Sequence, residues 1–207
     1  LSSGGYEVQK ERCSIGGKGK GPYFLLEKGK IVETSEDTFP VVTSDRLALV
    51  SASGLATFRP VYDALTAMGF YNINPKVIRD LQRPQDGRLL KPAGENIASV
   101  IGHLIRTNPD AIAVIEEYLH AVVPTVHKVE REAVGPMESL VFHQDMAGAD
   151  HRWRFPAQSM SDGTWRALGI LTALYQGNND YSPTFIGIEE PETALHPGAS
   201  AALREAL

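Results

Sequence analysis

A short apolar run that ends in two adjacent glutamates constrains this chain more than any other feature. The run begins the stretch TFIGIEEPETALHP at 184–197, and it is typical of a strand buried on both faces of a parallel sheet. Such a strand delivers its last residues to the carboxyl edge of the sheet, where α/β proteins bind ligands. Glu189 and Glu190 stand at that edge, followed by Pro191. We therefore expect an α/β fold with an acidic site at the end of this strand.

Two acids at a sheet edge can divide the work of nucleotide hydrolysis. One helps to hold Mg²⁺, directly or through water, while the other orients and deprotonates the attacking water. The doublet equally fits the polar start of a loop, with Pro191 breaking the strand. A further alternative is a metal-dependent hydrolase or nuclease that uses Glu189, Glu190, Glu192 and His196. The doublet alone does not decide among these interpretations.

The segment SMSDGTW at 159–165 stands directly before an amphipathic helical pattern. Ser161 or Asp162 is suited to cap that helix, and Gly163 allows the backbone to come close to a ligand. Free N–H groups and the helix dipole make such a helix start an anion site. The alternative is a plain helix cap with no ligand.

Together and in this order, the two segments resemble the ABC-type ATPase heads of the RecF/SMC-like "AAA family" group. MSDGT (Met160–Thr164) resembles their signature motif, FIGIEEPE (185–192) resembles their Walker B motif, and ETALHP (192–197) occupies the D-loop position. ENIASVIGHL (95–104) is similar to the helical region that these proteins insert before the signature. The resemblance extends over the whole chain, and its specific part is 160–197.

The resemblance implies a role for each matching residue. Glu190 would be the general base, and Glu189 would be the acid of the Mg²⁺ site. The signature residues would contact ATP held by a second head, and they are Ser161, Asp162, Gly163 and Thr164. The D-loop residues would lie along the dimer interface, and they are Thr193, Ala194, Leu195 and His196. Asp162 replaces a glycine of the commoner signature, but a carboxylate on the first turn of a helix is compatible with the helix dipole.

The sequence departs from the family pattern because it contains no P-loop. A P-loop needs Gly, four residues, Gly-Lys and then Ser or Thr. The Gly-Lys pairs start at Gly17, Gly19 and Gly29, and none is followed by Ser or Thr. The switch histidine expected beyond the D-loop is also missing. We therefore expect a piece of a longer protein that binds ATP poorly by itself.

The expected fold is of the α/β class: an incomplete ABC-type ATPase head with an antiparallel β portion and a helical insertion. Residues 1–59 would be mainly antiparallel β, and residues 60–136 would form the helical insertion. Residues 137–207 would hold the signature helix and the Walker B core. Because the strand leading into the P-loop is missing, the sheet would keep an exposed edge.

Strand patterns occur on both sides of the expected insertion. YEVQKERC (6–13) and PYFLLEKGK (22–30) flank a glycine-rich stretch that suits a hairpin turn, and Arg46–Val50 is a further strand candidate. SLVFHQD (139–145) and HRWRFP (151–156) alternate in hydrophobicity and predict a second hairpin.

Three helical patterns precede the one that follows SMSDGTW. The first begins near Pro60, and its apolar face carries Val61, Leu65 and Met68 before Gly69. The second has an apolar stripe formed by Ile97, Val100, Ile101, Leu104 and Ile105. The third has Asn108 as its N-cap, Pro109 at its first position and Pro124 as its stop.

Composition limits the partners that we expect. The 207 residues carry a net charge of −5, so no strong overall field attracts nucleic acid. No apolar run approaches the length of a membrane span, and the single cysteine, Cys13, fits a reducing compartment. We expect a cytoplasmic location and no membrane contact.

The resemblance implies an ATPase that uses ATP and Mg²⁺ and dimerises with a second ATPase head, as a homodimer. Such proteins serve DNA repair, chromosome maintenance or defence against foreign DNA, with DNA contacted through other parts of the protein. A scaffold or binding module of the same fold that does not hydrolyse ATP is the main alternative. The intact Glu190 argues against that alternative.

Overall fold

The structure is a computed structural model, and it describes residues 6–16, 21–148, 151–177, 183 and 185–193. It has a mixed α/β fold with antiparallel sheets and helices. The chain divides into two compact units, Leu1–Thr66 and Ala67–Leu207, and each contains its own buried hydrophobic cluster.

The strands are β1 Lys10–Ser14, β2 Tyr23–Glu27, β3 Lys30–Thr34, β4 Met68–Tyr71, β5 Val126–Val134, β6 Met137–Gln144, β7 Trp153–Pro156 and β8 Phe185–Ile188. The α-helices are α1 Ala48–Ala52, α2 Arg59–Thr66, α3 Pro75–Arg79, α4 Ile97–Thr107, α5 Pro109–Val122 and α6 Asp162–Tyr175. A short 3-10 helix, Ala157–Ser159, follows β7.

The unit Leu1–Thr66 contains an antiparallel sheet in the order β1-β2-β3 and the helices α1 and α2. Phe24 of β2 is fully buried and packs edge-to-face against Phe39 and Phe58, with ring centroids 5.1 and 5.0 Å apart. The pairing of β1 with β2 confirms the predicted first hairpin. Its predicted glycine-rich tip at 17–20 lies outside the described residues.

The prediction of a strand at Arg46–Val50 is wrong, because α1 begins at Ala48. The helix buries Ala48, Leu49 and Ala52 on one side. The carboxylate of Glu11, in β1, accepts hydrogen bonds from the N–H groups of Ala48 and Leu49. These donors are free at the start of any helix, so a carboxylate from a distant strand stabilises α1 where the local sequence favours a strand.

In its described residues, the unit Ala67–Leu207 contains two sheets. One is antiparallel in the order β5-β6-β7, and its β6–β7 pairing confirms the predicted second hairpin. The other consists of β4 and β8, which pair in parallel. The segment 60–136 was predicted as a helical insertion. It contains the strands β4 and β5 as well as nearly all of α2 and the whole of α3, α4 and α5.

Two predictions about the parallel sheet need correction. Met68 and Gly69 do not continue and end a helix but begin β4, which pairs with β8. β8 is not buried on both faces, since Phe185 is 53% exposed and the other three residues are half-buried. The reason is that Ile186 and Ile188 pack against the core, while Phe185 lies beside the exposed Phe70 on the opposite face.

Three longer helices form most of the core of this unit. On α4 the predicted stripe is buried except for Ile105, which is 39% exposed. The helix α6 buries nine of its residues, and Gly169 allows a close approach to Ile73, whose Cγ2 atom would lie 2.6 Å from an added Cβ. Across the described residues, every helix is too short or too polar to cross a membrane.

Replacing Asn108 with alanine is expected to lower the free energy of unfolding by about 1 kcal/mol. The predicted cap is confirmed, because the Asn108 side chain accepts a hydrogen bond from the Ala111 N–H at 3.2 Å. Urea denaturation followed by far-UV circular dichroism measures the change. Asn108→Ser keeps a side-chain acceptor and should lose only a few tenths of a kcal/mol, so equal losses in both variants would contradict the capping role.

Candidate functional site

The first half of the candidate site is the acidic strand end, which we define as residues 189–193. It follows β8, and the ladder with β4 continues beyond that strand because the Glu189 N–H donates to the Tyr71 carbonyl at 2.9 Å. This pairing places Asn72 beside Glu189, and Asn72 Nδ2 donates to Glu189 Oε2 at 2.7 Å. Both side chains lie at the carboxyl edge of the parallel pair and are exposed.

Tyr71, the last residue of β4, is held in the core beneath this edge. Its ring is buried, and Gln176 Nε2 donates to its hydroxyl at 2.7 Å. Burial raises the pKa of the Tyr71 phenol above its usual value, and the hydrogen bond from Gln176 opposes part of that shift. Tyr71 therefore remains neutral around neutral pH and serves to anchor the strand whose next residue contacts Glu189.

Glu190 has a backbone conformation that is unusual for a residue with a side chain. Its φ is +42°, in the left-handed region, which costs about 1–3 kcal/mol for a residue other than glycine. Its carbonyl accepts from the Thr193 N–H at 3.1 Å and from Arg166 Nη1 at 3.3 Å. Thr193 Oγ1 also donates to Glu190 Oε2 at 3.1 Å. The turn therefore holds both the backbone and the carboxylate of Glu190, and strained residues of this kind cluster at functional sites.

The second half of the candidate site is the Ser161 turn, which we define as Met160–Thr164. The predicted cap is confirmed, with Ser161 rather than Asp162 in the capping position of α6. Ser161 Oγ accepts from the Thr164 N–H at 3.1 Å and lies 2.9 Å from Thr164 Oγ1. Ser161 is exposed while Thr164 is buried. The turn is therefore anchored in the core by Thr164 and presents Ser161 to solvent.

Asp162 is paired with Arg79, the last residue of α3. The same Arg79 Nη2 atom also donates to the Met160 carbonyl at 3.2 Å. The Asp162 carboxylate is thus engaged by a cation, which balances its charge at the start of α6. The Asp162 carboxylate stands where an anion is expected to bind, and its pairing with Arg79 explains how this position can carry a negative charge.

The structure connects the two halves through Arg166 of α6. Its guanidinium reaches the Glu190 carbonyl, so the helix that begins at the Ser161 turn also supports the acidic strand end. The structure places Ser161, Asp162, Gly163 and Thr164 together at the start of α6, and Glu189, Glu190 and Thr193 together after β8. The remaining predicted D-loop residues, Ala194, Leu195 and His196, lie outside the described residues.

Three contacting residues were missed by the sequence analysis: Asn72, Arg79 and Arg166. Asn72 follows β4 directly, so the rule that gathers side chains at the carboxyl edge of parallel strands would have found it if β4 had been predicted as a strand. Arg79 and Arg166 belong to no motif, and the tertiary contacts of their long side chains leave no pattern in the local sequence.

In the part of the chain that the structure describes, no three His, Cys, Asp or Glu side chains come together closely enough to bind a metal ion. One carboxylate at the edge, Glu189, is suited to share an Mg²⁺ ion with phosphate oxygens and water, which is how this ion is usually held.

The mixed α/β fold is consistent with an ATPase-like domain, and a comparison with known families agrees. Residues 38–207, well over half of the chain, match the family described as "AAA domain, putative AbiEii toxin, Type IV TA system". The chain belongs to this family. An AAA domain indicates nucleotide binding of the ATPase type, and such domains generally bind ATP with Mg²⁺. No curated protein and no solved structure matches the chain.

Proposed function

We propose that this chain is part of an ATP-hydrolysing head of the ABC type, in which two heads close around ATP. One observation carries the proposal: Glu190 is held in a strained left-handed conformation beside Glu189, at the carboxyl end of a parallel strand. Lys28, in the turn between β2 and β3, also has a positive φ, but the turn at Glu190 additionally holds a carboxylate, and a base that must face the γ-phosphate requires a defined direction.

In the proposed reaction, a water molecule attacks the γ-phosphate of ATP in line with the leaving oxygen. Glu190 orients this water and accepts its proton, because its carboxylate is fixed by Thr193 and its backbone by Arg166. Glu189 contributes to the Mg²⁺ site. Asn72 holds the Oε2 atom of Glu189, so this carboxylate would offer the ion, or a water bound to it, a ligand that is already oriented.

The Ser161 turn supports the second part of the proposal, which concerns dimerisation. Its exposed serine, the glycine at 163 and the start of α6 offer a hydroxyl and backbone N–H groups to a phosphate. We propose that this phosphate belongs to ATP bound by a second head, identical in a homodimer. The D-loop would then lie along the interface, and ATP binding and hydrolysis would act as a switch on DNA-handling parts of the protein. We infer a role in DNA repair, chromosome maintenance or defence against foreign DNA.

The test is ATP turnover by the intact protein that contains this chain, with and without DNA. Glu190→Gln should lower kcat by about 10²–10⁴-fold, because the amide cannot accept the proton. The variant should still bind ATP and accumulate as a dimer. Glu117→Gln is the matched control, since Glu117 is an exposed glutamate of α5, and it should hydrolyse ATP like the wild type.

Two other outcomes would favour the alternatives. ATP binding and dimerisation without turnover, unchanged in Glu190→Gln, would identify a scaffold of the same fold. A nucleic-acid cleavage that needs Mn²⁺ or Mg²⁺ but no ATP, and that is lost in Glu192→Ala, would identify a metal-dependent nuclease.

A further inference from the structure

We propose that Arg79 is a positioning residue that keeps the Ser161 turn able to accept a phosphate, by holding the turn on both sides of Ser161 and by neutralising Asp162. This inference rests on the proposed function, because it assigns a purpose to a contact next to the phosphate site. Nothing in the local sequence around Arg79 marks it for such a role, whereas its contacts do.

The geometry of the contact is a two-point clamp. Arg79 Nη2 donates to the carbonyl of Met160 at 3.2 Å and pairs with the carboxylate of Asp162. These two acceptors belong to the residues immediately before and after Ser161. A single guanidinium therefore fixes the turn on each side of the exposed serine, while the Ser161 side chain is left for its bond to Thr164 and for a ligand.

The clamp has a rigid support. Arg79 ends α3, which packs against α6 and buries Ile78. Asn74 caps the start of α3 by accepting from the Lys76 N–H at 3.1 Å. In the described part of the chain, Arg79 Nε is buried with no hydrogen-bond partner. That unmet donor costs stability rather than adding to it, so the hold on the Ser161 turn comes from the two contacts of Nη2.

The charge of Asp162 explains why a cation is needed. Asp162 is exposed beside Ser161, and a free carboxylate there would repel the γ-phosphate that the turn is proposed to bind. Arg79 brings a permanent positive charge to that carboxylate. The nearby Arg166 is committed to the Glu190 carbonyl. Arg79 thus allows this turn to carry an aspartate without losing its attraction for phosphate.

The experiment compares four variants of the intact protein: Arg79→Ala, Arg79→Lys, Asp162→Gly and the double variant Arg79→Ala/Asp162→Gly. Arg79→Ala should raise the KM for ATP by about tenfold or more, since it leaves the carboxylate unpaired. Arg79→Lys keeps the positive charge but loses the planar guanidinium, so it should raise the KM for ATP less than Arg79→Ala does. The double variant also lacks the carboxylate, so its KM for ATP should return to within about threefold of the KM of Asp162→Gly.

The double variant separates the neutralising role from a purely structural one. A residue that only supports the fold would damage the protein equally whether or not Asp162 is present, so a KM that stays raised in the double variant overturns the charge argument. Lys76→Ala is the matched control, because Lys76 is an exposed cation of the same helix, and its KM should equal that of the wild type. An unchanged KM in Arg79→Ala would also overturn the proposal.

A second measurement keeps the inference separate from the proposed function. Hydrogen exchange of the amides at 161–164, without nucleotide, should be about tenfold faster in Arg79→Ala and unchanged in Lys76→Ala. If the wild type does not turn over ATP, the proposed function fails, while faster exchange still supports the clamp and unchanged exchange overturns it. If the wild type is active and Arg79→Ala matches it in both measurements, only the inference about Arg79 fails.

Discussion

Replacing Trp165 with alanine is expected to lower the free energy of unfolding by about 3–5 kcal/mol. Trp165 is fully buried in α6 and packs edge-to-face against Phe142 of β6, with ring centroids 5.1 Å apart. Its Nε1 atom donates to the Ala157 carbonyl at 3.2 Å. The substitution therefore leaves a large cavity at the point where α6 meets the antiparallel sheet, while the Ala157 carbonyl keeps the hydrogen bond from the Met160 N–H at 3.2 Å.

The second tryptophan of the chain provides the control for this prediction. Trp153 lies on β7, is 50% exposed and should tolerate alanine with a loss of about 0.5 kcal/mol or less. Far-UV circular dichroism is the appropriate probe during urea denaturation, because each variant lacks one fluorophore. Equal losses for Trp165→Ala and Trp153→Ala would contradict the central position of Trp165. Trp165→Phe should lose less than Trp165→Ala, since it fills part of the cavity.

The parts of the fold that the sequence predicted well are those with a strong local pattern. The stripe of α4 repeats at helical spacing, and Asn108 followed by Pro109 marks the start of α5 without help from distant residues. The hairpins β1–β2 and β6–β7 join neighbouring segments, so short-range alternation is sufficient to predict them.

The wrong predictions arise where distant residues decide the local structure. Arg46–Val50 favours a strand locally, but Glu11 supplies the acceptors that a helix start needs. Met68 continues the helical pattern that begins near Pro60 and was expected to end at Gly69, but both residues belong to β4 because β8, more than a hundred residues later, offers a parallel partner. The local hydrophobic pattern indicates neither the contact of Glu11 with α1 nor the pairing of β4 with β8.

The candidate site shows the same division. The acids after β8 and the serine before α6 were predicted because each stands at the end of an element whose pattern is visible in the sequence. Asn72, Arg79 and Arg166 were not predicted, since each reaches the site across a tertiary contact. The motifs thus indicated where the candidate residues lie, and the contacts that orient those residues required the structure.

A buried ionic network beside α4 carries the last prediction. Glu138 of β6 is fully buried, accepts a hydrogen bond from Ser99 of α4 and pairs with Arg131 of β5. Its backbone N–H and carbonyl both bond to Gln82, each at 2.8 Å. Gly102 leaves room for this arrangement, because an added Cβ would lie 2.5 Å from the Cδ atom of Arg131.

Replacing Glu138 with alanine is expected to lower the free energy of unfolding by about 1–3 kcal/mol, since it removes the buried acceptor of the Ser99 hydroxyl and of Arg131, whose side chain is partly exposed. Urea denaturation measures this loss, with Glu132→Ala as the control: Glu132 pairs with Arg154 at the surface and should contribute no more than about 1 kcal/mol. The double variant Glu138→Met/Arg131→Met removes both charges and should recover much of the loss, because apolar side chains of similar volume leave no unpaired charge.

A loss in Glu138→Ala no larger than in Glu132→Ala would show that Arg131, whose side chain is 35% exposed, is hydrated well enough once its partner is removed. The ionic network would then contribute little to the stability of this unit, and the packing of α4 against β5 and β6 would depend on its apolar contacts alone.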